Sequence, residues 1–382
     1  MNNVLKYRLF GIGGIVLLLA IVVDVVAVTF NPNDYKPLVV KLVKDKKQRT
    51  LNIEGDIKLA FYPRIGANLG KVSLSEHNGD KEFAAMEGLK VSLALLPLLK
   101  KQLVVDTVYV DGVRANIVRH KDGTTNFDDL LSKEESEQIK FDIDGVKVTN
   151  SALSFTDEKA DSKYSISKLN VTTGHVALAQ PLDVTTDFTI AATNPKLDAA
   201  VKLKGNFLFD PVAKHFIAKG LDANVKGNFA GGSDVEVKLS GDLDARPETT
   251  ELLVDSLKLA LTGNFSGAKL AMEVAAPKLN VQKDEVSGKE ISVNLKQEKG
   301  PDHFQAKLIL ADVKGSPKAI QSSGISGELA GRQGARTMAG KFSSPLSANL
   351  QTMVFDLPKL AGNLDIKDPA LPNGGMQGTF AL

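Results

Sequence analysis

The sequence predicts a mainly β fold: an N-terminal transmembrane helix, a short amphipathic helix, then a long antiparallel β-sheet with one dry face, which is either covered by a second layer or curled to form an apolar groove. Three observations predict it. First, four segments repeat one pattern: Val201–Phe207 (VKLKGNF), Ala223–Phe229 (ANVKGNF), Val237–Leu243 (VKLSGDL) and Leu259–Phe265 (LALTGNF). Each alternates apolar and polar residues, the signature of a strand with one dry face. Second, Gly205, Gly227, Gly241 and Gly263 follow one another at steps of 22, 14 and 22 residues, with a weaker echo at Gly327, Gly340, Gly362 and Gly378. A period of that length marks repeated supersecondary units, here β-hairpins in a meander. Third, Leu9–Phe30 is a run of 22 residues that are apolar except for Asp24 and Thr29.

No helical segment in the C-terminal half is available to cover the dry face. Two architectures satisfy the pattern. In a β-sandwich, two halves of the sheet cover each other. In a curled trough, the dry interior stays open to acyl chains, and a glycine on the inner face permits the bending that a curl needs. Pattern alone favours the sandwich.

The N-terminal run is long enough to span a bilayer as a helix and longer than the apolar core of most cleaved signal peptides. It is read as an anchor carried by Leu9, Ile15, Leu18, Val22, Val26 and Phe30, with Val25-Val26-Ala27 as the competing cleavage site. Asp24 within it is either a functional carboxylate or a chance substitution near the interface. Basic residues lie on both sides of the run, so charge leaves the orientation open. Next, Asn33-Asp34 reads as a helix start with Pro37 in the first turn, and Tyr35, Leu38, Val39, Leu42 and Val43 follow helical spacing. Such a basic amphipathic helix either lies on anionic headgroups or caps the end of a β-structure, and capping is the favoured reading.

Strands follow at 50–61, 65–75, 85–95, 102–110 and 112–119. A polar loop, 120–126, leads to a short helix capped by Thr125 or Asn126 and ending at Leu131. Ser132–Gln138 (SKEESEQ) is a charged linker, and 139–382 is the repetitive β array, with prolines at loop positions. The array stops on another apolar-x-Gly-x-apolar copy, so either a truncated product or a partner at the final edge is expected. The sequence thus divides into 1–30 (N-terminal tip and membrane segment), 31–131 (N-terminal module), 132–138 and 139–382.

The ordered motifs NPNDYKP (Asn31–Pro37), QRTLNIEGDIKLAFYP (Gln48–Pro63), LPLLKKQLVV (Leu96–Val105) and DGTTNFDDL (Asp122–Leu130) carry a family resemblance. Over 1–131 the chain resembles the AsmA family of envelope proteins, with Phe127 where a Trp is usual. The resemblance implies an inner-membrane anchor, a cytoplasmic N-terminus, a bulk in the periplasm, and a β-groove related to bridge-like lipid-transfer proteins. It also implies a longer C-terminal part than this chain has.

The expected partners are phospholipid, the inner membrane, and other envelope or outer-membrane assembly proteins. A net charge of +2 gives no reason to propose nucleic acid. The expected role is outer-membrane assembly or homeostasis by passing phospholipid along the groove. The alternative is an anchored scaffold that modulates outer-membrane protein folding, which a filled core would favour. The groove candidates are Val201, Leu203, Phe207, Val225, Phe229, Val237, Leu239, Leu259, Leu261 and Phe265. No enzyme and no cofactor are expected: His77, His120, His175, His215 and His303 have no ligand spacing, cysteine is absent, and no nucleophile elbow or phosphate loop occurs.

Overall fold

In the computed structural model, residues 31–60, 65–93, 105–131, 142–177, 180–210 and 213–382 are described. Leu9–Phe30 with Asp24, the apolar turn expected at Leu95–Leu99 around Pro97, and the Ser132–Gln138 linker lie outside them. No helix of the described residues is long and apolar enough to cross a membrane. The chain forms two compact units, Met1–Asn170 with His175–Leu178, and Val171–Gly174 with Ala179–Leu382.

The first unit opens with a 3₁₀ turn, Pro32–Tyr35, started by the Asn31 side chain, which accepts from the Asn33 N–H at 3.1 Å. Helix α1 (Lys36–Lys47) follows, with Pro37 tolerated in its first turn, and ends on Gln48 in the left-handed region. Four kinked strands come next, each in two pieces: β1 (Leu51–Ile53) with β2 (Lys58–Ala60), β3 (Ile65–Leu69) with β4 (Val72–Ser75), β5 (Glu82–Met86) with β6 (Gly88–Leu93), and β7 (Val105–Asp111) with β8 (Arg114–Arg119).

The alternation predicts the first three pairs as continuous strands and already divides the fourth at Asp111; the backbone breaks all four. Gly55 and Gly112 adopt positive φ, and Gly70 and Glu87 sit at the other two breaks. The breaks align across the sheet. The Glu54 N–H donates to the Lys71 carbonyl at 2.8 Å, Glu87 to Asp111 at 2.9 Å, and Gly112 to Thr149 at 2.9 Å.

The meander closes on β9 (Asp142–Asp157), which runs parallel to both β7 and β8. A parallel joint needs a crossover between Arg119 and Asp142; the short helix expected after the polar loop is a 3₁₀ turn, Asp128–Leu131. β10 (Ser162–Thr173) and β11 (Val176–Ala177) follow.

The second unit is an antiparallel meander in sequence order: β12 (Leu182–Ala192), β13 (Leu197–Asp210), β14 (His215–Phe229), β15 (Gly232–Arg246), β16 (Glu251–Phe265), β17 (Ala268–Gln282), β18 (Glu285–Gly288), β19 (Ile291–Lys299), β20 (Asp302–Ser316), β21 (Ala319–Gln333), β22 (Arg336–Asn349), β23 (Val354–Asp356), β24 (Ala361–Lys367) and β25 (Gly375–Ala381). β18 and β19 are two pieces of one strand position between β17 and β20.

A line of irregularities crosses this unit. The register shifts at Lys204/Asn206, Ala218/Leu221, Ser240/Asp242 and Ser322/Ile325. Ser256 and Asp312 take positive φ at the matching places in β16 and β20. A bulge inserts one residue and sharpens the local bend. It also resets the alternation: Leu252 and Val254 precede the bulge in β16, while Leu257, Leu259 and Leu261 follow it, three residues from Val254 to Leu257 instead of two. The apolar side chains stay on one face although the sequence phase slips.

Candidate functional site

The registers build the candidate site strand by strand. One row of directly paired residues runs Phe188, Val201, Val225, Val237, Leu261, Met272, Leu295, Ala306, Leu329, Gly340, Leu364 and Gly378. None of these is polar. The neighbouring row runs Thr186, Leu203, Ala223, Leu239, Leu259, Val274, Val293, Leu308, Gly327, Phe342, Gly362 and Phe380 through the same pairings. Each row crosses the sheet at right angles to the strands, roughly 50 Å at about 4.8 Å per step.

The opposite face alternates in charge. Glu328 pairs with Lys341 at 2.9 Å and Lys204 with Asp222 at 3.1 Å, while Asn224 donates to Glu236 at 2.8 Å. Hydrogen bonds from Asn224 and then Lys238 hold the Glu236 carboxyl below its ordinary range, and Lys341 does the same for Glu328.

All ten residues nominated from the sequence are half-buried. Val201, Val225, Val237 and Leu261 share the first row; Leu203, Leu239 and Leu259 share the second. Phe207 lies beyond the bulge line, opposite Ala218. Phe229 and Phe265 stand at the hairpin ends, each opposite Gly232. The pattern stops short of the continuation through Met272, Val274, Val293, Leu295, Leu308 and Leu329. The second glycine series signals only the last two, since Gly327 pairs with Leu308 and Gly340 with Leu329.

The filled core of a sandwich would leave these side chains almost wholly inaccessible. Leu308 instead keeps 39% of its surface. Of the buried apolar residues of the unit, Val254 and Val313, each 3% exposed, with Leu221 and Ala276 flank the bulge line, whereas Val235 and Ala199 are buried nearer the hairpin ends.

The motif glycines have a second role that the alternation does not convey: aromatic rings lie over them. A Cβ on Gly205 would meet the Phe207 ring at 3.0 Å, one on Gly327 the Phe342 ring at 2.1 Å, and one on Gly362 the Phe380 ring at 2.6 Å. Ring-over-glycine pairs of this kind protect the backbone and pin register. Of the four glycines in the first series, Gly205 and Gly241 sit on the bulge line. Gly227 and Gly263 do not.

A depression of about 380 Å³ lies at one end of the apolar face, where Phe304, Met338 and Ile366 meet Lys299 and Arg336. The larger spaces, of about 590 and 520 Å³, lie on the opposite face between charged side chains such as Lys296, Glu328, Lys202 and Asp222. Spaces bounded by long solvated side chains are gaps in a polar surface, so the apolar rows define the site better than cavity size does.

A separate cluster in the first unit is absent from the residues nominated above. Arg49 is fully buried, between the end of α1 and β1. Its Nε donates to Asp129 Oδ2 at 2.7 Å and its Nη2 to Asp129 Oδ1 at 2.6 Å. It also donates to the carbonyls of Ser75 at 2.8 Å and Asn126 at 2.6 Å, and its guanidinium lies 4.6 Å from the Phe83 ring centre. These bonds hold the Asp129 carboxyl below its ordinary range. The QRT and DGTTNFDDL motifs, 80 residues apart at Arg49 and Asp129, are thus two halves of one clasp.

A mainly β chain with this N-terminal module and a two-faced meander matches a known family. The AsmA family model matches residues 1–367, so the chain belongs to the AsmA family. That match runs far beyond residue 131, where the recognisable motifs stop. Among curated proteins the chain is similar to "Protein AsmA" of Escherichia coli (strain K12), at 28% identity over 136 residues, covering 34% of this chain and 22% of that protein. The aligned stretch is therefore about a fifth of that relative's length. No solved structure matches.

Proposed function

We propose that this chain is an inner-membrane-anchored periplasmic protein that binds phospholipid on the apolar face of its second unit and passes it along the two apolar rows, in support of outer-membrane assembly or homeostasis. The single observation that carries the reading is the uncovered pair of apolar rows across twelve strand positions. A soluble protein rarely exposes an apolar patch of this extent without a ligand or partner for it. In this reading the sheet curls about its bulge line with the apolar side inward, which accounts for the burial of Leu221, Val254, Ala276 and Val313 along that line.

The mechanism is physical. Carrying a lipid through water exposes its acyl chains at about 0.8 kcal/mol per CH₂. A continuous apolar track removes that cost at every step while headgroups stay in water. No side chain has to form or break a bond, so the reading needs neither enzyme nor cofactor. The scaffold alternative calls for a filled core, and the half-exposed rows weigh against it.

Photo-crosslinking of the full chain in membranes tests the reading. A benzophenone side chain at Val237 or Leu261 is expected to capture phospholipid. One at Lys238, on the opposite face, is not. Leu239→Asp should reduce capture at Leu261 by about tenfold, since a carboxylate in the track must be desolvated by each passing chain. Lys238→Asp should leave it unchanged. Equal capture from both faces, or none from either, would overturn the assignment.

A further inference from the structure

Helix α1 packs on the first unit by a narrow face. Lys36, Val40, Val43 and Lys47 are half-buried, and Lys36 and Lys47 reach the carbonyls of Gly55 and Asp129. The remaining apolar residues point away. Leu38 is 63% exposed, Val39 42% and Leu42 52%, and Tyr35, the last residue of the preceding 3₁₀ turn, is 53% exposed. Their spacing of three, four and seven residues puts them on one side of the helix. The expectation that this helix caps a β-structure therefore accounts for only one of its two faces.

What covers the outward stripe follows from its place in the chain. The 22-residue apolar run Leu9–Phe30 ends one residue before the first described residue, and Tyr35 comes only five residues after Phe30. Five residues span at most about 18 Å, so if the run crosses a bilayer, the stripe starts within reach of the headgroup layer. The flanks are charged accordingly: Lys41 and Lys46 are exposed, with Asp45 as the single acid in the helix. An apolar stripe edged by lysines fits an anionic lipid surface.

We infer that the Tyr35, Leu38, Val39 and Leu42 face of α1 seats in the headgroup layer of an anionic bilayer, with Lys41 and Lys46 on lipid phosphates. The inference rests on the reading of Leu9–Phe30 as a membrane segment. It assigns a second membrane contact, distinct from the proposed lipid track, and one that holds the first unit against the membrane.

The chain has no cysteine, so single cysteines can be labelled without further change. The full chain would be reconstituted into vesicles of phosphatidylcholine with or without phosphatidylglycerol, carrying a fluorophore at V22C, L38C, L42C or K44C, and quenched with spin-labelled lipid. Lys44 lies on the other side of the helix from the stripe. The expected result is quenching at L38C and L42C about threefold that at K44C, weakening when the anionic lipid is omitted, as interfacial binding requires. Strong quenching at V22C with L38C and L42C no different from K44C would overturn the inference and leave the anchor standing. An unquenched V22C would overturn the anchor and the inference with it. Labels at L38C and L42C that are shielded from water yet unquenched by lipid would mean a protein partner, which also overturns it.

Discussion

Gly227→Ala is expected to open the β13–β14 pairing and to destabilise that hairpin by about 3 kcal/mol or more, above the usual range for overpacking because the obstacle is backbone. A Cβ at Gly227 would sit 2.0 Å from the Asp198 carbonyl oxygen and 2.5 Å from the Ala199 Cα. Neither can move without parting the strands, and Ala199 is itself buried. Gly378→Ala is the control: no atom lies within 4 Å of its Cβ, so a change within about 0.5 kcal/mol is expected. Hydrogen exchange in β13 and β14 reads the difference. Equal protection in the two variants would mean that the close approach does not constrain the sheet.

Arg49→Met is expected to cost about 3–5 kcal/mol, the usual price of breaking a buried ion pair from one side. The loss takes the two-pronged guanidinium contact from Asp129 and leaves the carbonyls of Ser75 and Asn126 short of a donor. Arg49→Lys should recover only part, because an ammonium cannot reproduce the two-pronged contact with the carboxylate. The measurement is protease sensitivity of the loop 120–131 and of α1. A loss below about 1 kcal/mol would mean the clasp is incidental to folding.

The same pair sets an acid limit. Arg49 lowers the Asp129 pKa in the folded state from an ordinary 3.8. A lowered folded pKa contributes stability that is fully present above the ordinary value and disappears as pH falls through the lowered one. Stability of the first unit should therefore decline below about pH 4, and the decline should be shallower in Arg49→Met.

Much of the fold was legible because alternation reports directly on which side of a strand is dry. Val201 to Phe209 alternates without interruption, and β13 is a single strand. Legibility ended wherever the phase slipped. Leu252 and Val254 belong to the same face as Leu259, but the bulge at Ser256 displaces them by one position, so no strict period connects them. Three of the four kinks in the first unit escaped for a related reason. Gly55 turns the backbone through a positive φ, yet the residues on both sides keep strand character, whereas the break beside Gly112 was expected.

The ring-over-glycine pairs were half visible. Phe207 covers the glycine two residues before it, a spacing present in the motif, whereas Phe342 covers Gly327 on the neighbouring strand, and only the register reveals that. The clasp was invisible to periodicity altogether. Arg49 reads as one more basic residue after a lysine-rich helix until the fold brings Asp129 to it.

From β12 to β25 each strand position is hydrogen-bonded to the one before it and the one after it in the sequence. A structure of that kind is held by nearest-neighbour terms, much like a stack of repeats. It can be assembled in the order in which the polypeptide is delivered, each arriving strand finding its template already in place. It can also lengthen or shorten by whole hairpins, at about 10 Å each, without altering the cross-section of what remains. Damage to one strand would then propagate as local fraying rather than collapse of the whole.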